Sequence, residues 1–250
     1  MLTINNARIR SNSFRKRTEQ VDTLVLHYTA LDLQTSLRVL REQGVSVHYV
    51  LAEDGTVYKI LEDNEVAYHA GVSMWRGKTG VNARSIGIEI VNLDGNTHDY
   101  PTVQIAVLIE LCRMILTRNP GILPGNVVGH SDIAPKRKVD PGEKFPWRQL
   151  ANAGIGLWPK DIPDEPVGTT AEIQTLLEAC GYPKEHGYGM RGESYAYVAD
   201  PDNPPADVSK VVRVSTKDIL GAFQLRYQPG SVLGVATSAT MGMLRTLAGS

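Results

Sequence analysis

Six histidines are spread along this chain of 250 residues: His27, His48, His69, His98, His130 and His186. Two of them close apolar, β-rich runs. His27 ends TLVLH (23–27), and His130 follows NVVG (126–129). Asp140 lies ten residues beyond His130 in the same loop. Two imidazoles and one carboxylate form a donor set for a tetrahedral Zn²⁺ whose fourth position is left to water, and strand ends present such ligands rigidly. Spacing alone leaves a second reading open, in which each strand-end histidine is a hydrogen-bonded structural residue. Glu89 sits in SIGIEIV (85–91) and is either a proton-transfer group or a surface strand residue. Lys138, within KRK (136–138), is either a fixed cation or a solvated loop charge. The chain contains no H-E-x-x-H, G-x-S-x-G or phosphate-binding P-loop, which removes the commonest protease, hydrolase and nucleotide-triphosphate chemistries.

The elements that must hold these residues alternate between strand and helix. Thr23–His27 predicts a buried strand. Leu33, Leu37 and Leu40 predict a helix from Asp32 to Gln43, with Gly44 closing it. Val47–Leu51 and Thr56–Leu61 flank Asp54-Gly55 and predict a hairpin. In 85–91, Ile86, Ile88 and Ile90 face one side, while Gly87, Glu89 and Val91 face the other. Pro101 opens a helix running to about Arg118. This order predicts an α/β fold, a mixed central sheet covered by helices. Pro159, Pro163 and Pro166 mark a linker over 158–167. Domains are therefore expected at 1–157 and 168–250. The second reads as three helices: Ile173 to Cys180 ended by Gly181, a helix opened by Ser215 and Asp218, and one following Thr237. The polar, Gly/Pro-rich stretch 183–214 reads as a long loop, and its tyrosines, Tyr188, Tyr195 and Tyr197, as ties to the helices.

With 42% hydrophobic and 21% charged residues, the chain can bury a core. No apolar run approaches about 20 residues, so no membrane insertion is expected. A net charge of −1 argues against a nucleic-acid partner. Cys112 and Cys180 are too few for a disulfide framework or a multi-cysteine zinc site. The basic start MLTINNARIRSNSFRKR lacks the apolar stretch of a signal peptide. His48 reads as a core residue, and His98 and His186 as solvated.

The strings LVLHYTA (24–30), SVHYVLAEDGTVYKI (46–60), VAYHAGVS (66–73), NARSIGIEIVN (82–92) and VVGHSDIAPKRKVDPG (127–142) together resemble the zinc-dependent N-acetylmuramoyl-L-alanine amidases of type 2, relatives of phage amidases and peptidoglycan recognition proteins. The region after 168 resembles, more loosely, a peptidoglycan-binding domain. The resemblance implies Zn²⁺ held by His27, His130 and Asp140, Glu89 as general base and acid, and Lys138 facing the scissile carbonyl. It also implies substrate contacts from His69, Asn82, Arg84 and Trp75. The implied reaction is hydrolysis of the amide between N-acetylmuramic acid and L-alanine, with peptidoglycan or muropeptides as partner. A non-catalytic recognition module is the alternative, and a third reading is a metal hydrolase acting on another amide. The substrate polymer implies the periplasm or cell envelope, with no export route visible, and the sequence is compatible with a homo-oligomer.

Overall fold

The apolar β-rich runs form strands and the amphipathic stretches form helices in a computed structural model that describes residues 4–5 and 10–249. In chain order the first elements are β1 (Ile4–Asn5), β2 (Phe14–Lys16), β3 (Thr23–Tyr28), α1 (Leu33–Glu42), β4 (Tyr49–Leu51), β5 (Val57–Lys59) and β6 (Glu65–Ala67). Next come β7 (Met74–Trp75), β8 (Lys78–Thr79), α2 (Val81–Arg84), β9 (Ser85–Ile90), α3 (Thr102–Arg118), β10 (Val127–Gly129), α4 (His130–Ile133) and α5 (Trp147–Asn152). The chain ends with α6 (Thr170–Cys180), β11 (His186–Arg191), β12 (Ser194–Val198), β13 (Ser209–Val214), α7 (Thr216–Tyr227) and α8 (Ser238–Ala248). They gather into two compact units. One contains the chain up to Ala70 together with Asn82–His130 and Asp140–Leu157, and the other contains Gly71–Val81, Ser131–Val139 and the chain from Trp158 onward.

In the first unit the described strands form a mixed sheet in the order β1-β5-β4-β9-β3-β10. β3 runs parallel to both β9 and β10, while β4 and β5 are the antiparallel hairpin around Asp54-Gly55. The central strands are buried on both faces. Leu24, Val25 and Leu26 on β3 and Ile86, Ile88 and Ile90 on β9 are fully buried, as near-continuous apolar runs in parallel sheets require. Helix α1 starts where Asp32 accepts a hydrogen bond from the Thr35 amide at 3.0 Å. It buries Leu37 and Leu40 in a cluster with Val47, Val50, Ile60 and Leu61. Helix α3 begins one residue after Pro101 and buries Ile105, Leu108, Leu111, Cys112 and Ile115. Gln104, fully buried on that helix, uses its Nε2 to donate to the Val91 carbonyl at 2.8 Å.

The second unit contains the three expected helices. Gly181 caps α6 in the left-handed conformation, and capping boxes open α7 at Ser215 and α8 at Thr237. The loop expected over 183–214 is instead a three-stranded antiparallel sheet, β12-β11-β13. Its glycines disguised it. Added side chains at Gly187 and Gly189 would run into Val211 and Val208 and into the backbone of β13, so glycine here permits close strand approach. Ala196, Val198 and Val208 form the sheet's own small core. His186, read as solvated, is buried on β11 with its ring stacked on Tyr197, 5.2 Å between centroids.

Candidate metal centre and active site

His27 is the fifth residue of β3, and its register partner on β9 is Glu89. In-register neighbours of parallel strands place their side chains on the same face, about 4.8 Å apart along the hydrogen-bonding direction. On the other side of β3, Gly129 of β10 pairs with Leu26, so His130, the next residue, emerges beside His27. Three adjacent strands therefore deliver Glu89, His27 and His130 to one end of the sheet.

Asp140 returns to this point because the backbone leaves room for it. A Cβ on Gly129 would stand 2.7 Å from Pro141 Cδ, and one on Gly142, at φ +84°, would strike the Gly95 backbone at 2.4 Å. Tyr100 Oη donates to the Pro141 carbonyl at 2.7 Å, and the Lys144 amide donates to the Gly95 carbonyl at 2.8 Å. Nothing in the sequence reading signalled Tyr100, Gly95 or Gly129 as supports for the loop.

The result is a buried cluster. His27 Nδ1 lies 2.9 Å from Asp140 Oδ2 and 2.9 Å from His130 Nδ1, and His130 Nδ1 lies 3.1 Å from Asp140 Oδ2. The three residues are 1%, 3% and 8% exposed. The outer nitrogens identify the inner ones. His130 Nε2 meets the Ala70 carbonyl at 3.0 Å; a carbonyl only accepts, so Nε2 carries the proton and Nδ1 turns a lone pair inward. His27 Nε2 lies 2.9 Å from His69 Nδ1. Burial, then His27 and His48 nearby, hold the His69 pKa well below its ordinary value. The His69 Nε2 reaches Ser85 Oγ at 3.2 Å. Two inward imidazole nitrogens and one carboxylate oxygen, all within 4.8 Å of one another, match the donor set of a three-ligand catalytic zinc site.

The remaining residues singled out from sequence divide. His69 packs its ring onto Gly87, where a Cβ would come within 2.7 Å, and supports His27. Asn82 Oδ1 accepts from the amides of His69 (3.0 Å) and Ala70 (2.7 Å), fixing the turn that carries both outer partners of the cluster. Arg84 Nη1 donates to Asp22 Oδ1 at 2.5 Å and to Thr23 Oγ1 at 3.0 Å, at the opposite end of β3 from His27. Trp75 belongs to the second unit, 3% exposed and edge-on to Tyr182 at 5.2 Å. Lys138 is half-buried two residues before Asp140, its amide donating to the Ala134 carbonyl at 3.1 Å. His48 is the satisfied core residue expected: its Nδ1 accepts from the Gly87 amide at 3.0 Å, and its Nε2 lies 3.0 Å from the Glu65 carbonyl.

This geometry has known counterparts. A family model described as N-acetylmuramoyl-L-alanine amidase matches residues 17–143. The N-acetylmuramoyl-L-alanine amidase AmiD of Escherichia coli K12 is 33% identical, over 91% of this chain and 82% of its own length. AmpD of Enterobacter cloacae, a 1,6-anhydro-N-acetylmuramyl-L-alanine amidase, is 40% identical over 107 residues, 43% of this chain and 56% of its own. The structure of E. coli AmiD with its substrate anhydro-N-acetylmuramic acid-L-Ala-D-γ-Glu-L-Lys aligns at a TM-score of 0.73 and 33% identity, over 93% of this chain and 91% of that one. AmpDH3 of Pseudomonas aeruginosa with anhydromuramic pentapeptide aligns at a TM-score of 0.75 and 32% identity, over 98% of this chain and 97% of that one. With whole-length likeness in sequence and in fold, this chain belongs to the N-acetylmuramoyl-L-alanine amidase family and is an amidase.

Proposed function

We propose that this amidase uses Zn²⁺ held by His27, His130 and Asp140 to hydrolyse the bond between the lactyl carbonyl of N-acetylmuramic acid and L-alanine, releasing stem peptides. The observation that carries this reading is the pair of inward-facing Nδ1 atoms beside the Asp140 carboxylate, each histidine held from behind by its other nitrogen. A zinc ion bound there would supply a Lewis acid able to polarise the amide carbonyl and to lower the pKa of water towards about 7. Glu89, one strand from His27 and on the same face, accepts a proton from the attacking water and returns it to the leaving nitrogen. Lys138 offers a cation to the oxyanion that develops on the carbonyl, a contribution of roughly 3–4 kcal/mol where one such donor has been removed elsewhere. We assign positioning rather than substrate contact to His69 and Asn82, because their polar atoms are used within the cluster's support.

AmiD and AmpDH3, with anhydromuramyl peptides in their structures, support muropeptides as substrates. We assign catalysis to residues 1–157 and retention near the polymer to 168–250, which would raise the effective substrate concentration. The place of action that suits such a substrate is the periplasm or cell envelope.

The test is digestion of anhydromuramyl tripeptide and of purified sacculi, with the products weighed. Free peptide beginning at L-alanine, and sugar lacking it, are expected. A chelator should abolish release and added Zn²⁺ should restore it. Glu89→Gln should keep its zinc and lose about 10²–10⁴-fold in kcat. Binding of muropeptides without any cleavage would instead mark a recognition module, and release of acetate a different amide.

A further inference from the structure

We propose that the buried ion pair between Asp132 and Arg226, with Tyr182, is a positioning element of the metal centre, setting the span between its ligands His130 and Asp140. The inference rests on the zinc reading above and extends it to a helix, α7, far along the chain.

The segment that joins these two ligands, Ser131–Val139, packs as part of the second unit. Asp132 is fully buried and Arg226 is 3% exposed. Tyr182 Oη donates to Asp132 Oδ1 at 2.6 Å and Arg226 Nη1 donates to Asp132 Oδ2 at 2.8 Å, so both carboxylate oxygens are engaged. Further along the segment, Lys136 Nζ donates to the Arg213 carbonyl at 2.9 Å and lies 3.3 Å from Asp218. Arg137 Nη2 donates to the Val72 carbonyl at 2.7 Å. That last contact ties the segment to the stretch following Ala70, the residue whose carbonyl orients His130. A segment held at three points over six residues has little freedom to let its two ends drift, and ligand supports of this indirect kind carry real weight in metal affinity. Removing one partner of a buried charge pair leaves the other uncompensated, which forces the segment to rearrange.

The test measures the Zn²⁺ affinity of the full chain by chelator competition, with near-ultraviolet circular dichroism of the zinc-free protein at the same temperature reporting packing. Arg226→Met should bind zinc about 10–100-fold more weakly while its zinc-free spectrum stays native. Arg226→Lys, which keeps the charge, should recover part of that loss, and Tyr182→Phe should lose severalfold. Arg245→Met breaks an ion pair elsewhere in the second unit, with Glu165 and Glu172, and should leave zinc affinity unchanged. Should Arg226→Met fail to fold, Tyr182→Phe and Arg226→Lys decide the matter. Wild-type affinity in the folded variants, or an equal loss in Arg245→Met, would overturn the proposal. A wild-type chain that binds no zinc would instead overturn the zinc reading beneath it.

Discussion

Asp132 and Asp140 are eight residues apart, and both are buried, yet their surroundings differ in kind. Asp132 faces a guanidinium and a phenol, permanent donors that satisfy a carboxylate without outside help. Asp140 faces two imidazole nitrogens, and at His130 the outer hydrogen bond leaves a lone pair on the nearer nitrogen. Two imidazole nitrogens and a carboxylate oxygen converging within 4.8 Å of one another suit a positive ion between them. Burial therefore does not distinguish a structural carboxylate from a functional one; the nature of its partners does.

The contrast breaks most sharply on alanine substitution at the two positions. Asp132→Ala strands a buried arginine and should cost about 3–5 kcal/mol of stability in urea titration, with or without metal. Asp140→Ala should cost far less in the zinc-free protein, while abolishing zinc binding, amidase activity and the rise in Tm that zinc produces. Equal losses in the zinc-free proteins would make Asp140 a structural residue and end the distinction.

His48 extends the comparison to a buried group that has partners but no opposite charge. Burial pushes its pKa down to about 4, helped by the Arg17 charge, below the value of about 6.5 in the unfolded chain. The unfolded state therefore takes the proton first. The stability this residue contributes is complete above pH ~6.5 and falls away towards pH 4, about 3 kcal/mol in all. His48→Gln should shrink the loss of stability between pH 7 and pH 4 by that amount, and an unchanged loss would mean that the native ring protonates freely. The smallest effect is expected at His69, which touches the cluster from outside. His69→Ala should weaken Zn²⁺ binding about 10–100-fold without abolishing it. Undiminished affinity would show that His27 needs no support from behind.

Much of this could be read in the chain. The apolar runs of β3 and β9, the caps of α1, α6, α7 and α8, and the hairpin at Asp54-Gly55 are local signals, because period, cap and turn chemistry depend on neighbours within a few residues. His27, His130 and Asp140 stood out by residue type at strand ends and by family resemblance. The sheet over 183–214 was hidden because Gly187 and Gly189 weaken the strand pattern that their close packing makes possible. The turn Gly192-Glu193, with Gly192 at φ +61° between the paired Arg191 and Ser194, was the signal that could have revealed it.

The sequence by itself determined which segments become strands and helices and which side chains could ligate a metal, since both follow from composition and short-range spacing. Only the tertiary structure decided which imidazole nitrogens face inward, that Asn82 and His69 support the cluster, and that Asp132 is paired while Asp140 is poised. Those roles depend on partners 103, 113 and 94 residues away in the chain, and the hydrogen-bonding role of a polar side chain is settled by whatever folding brings against it.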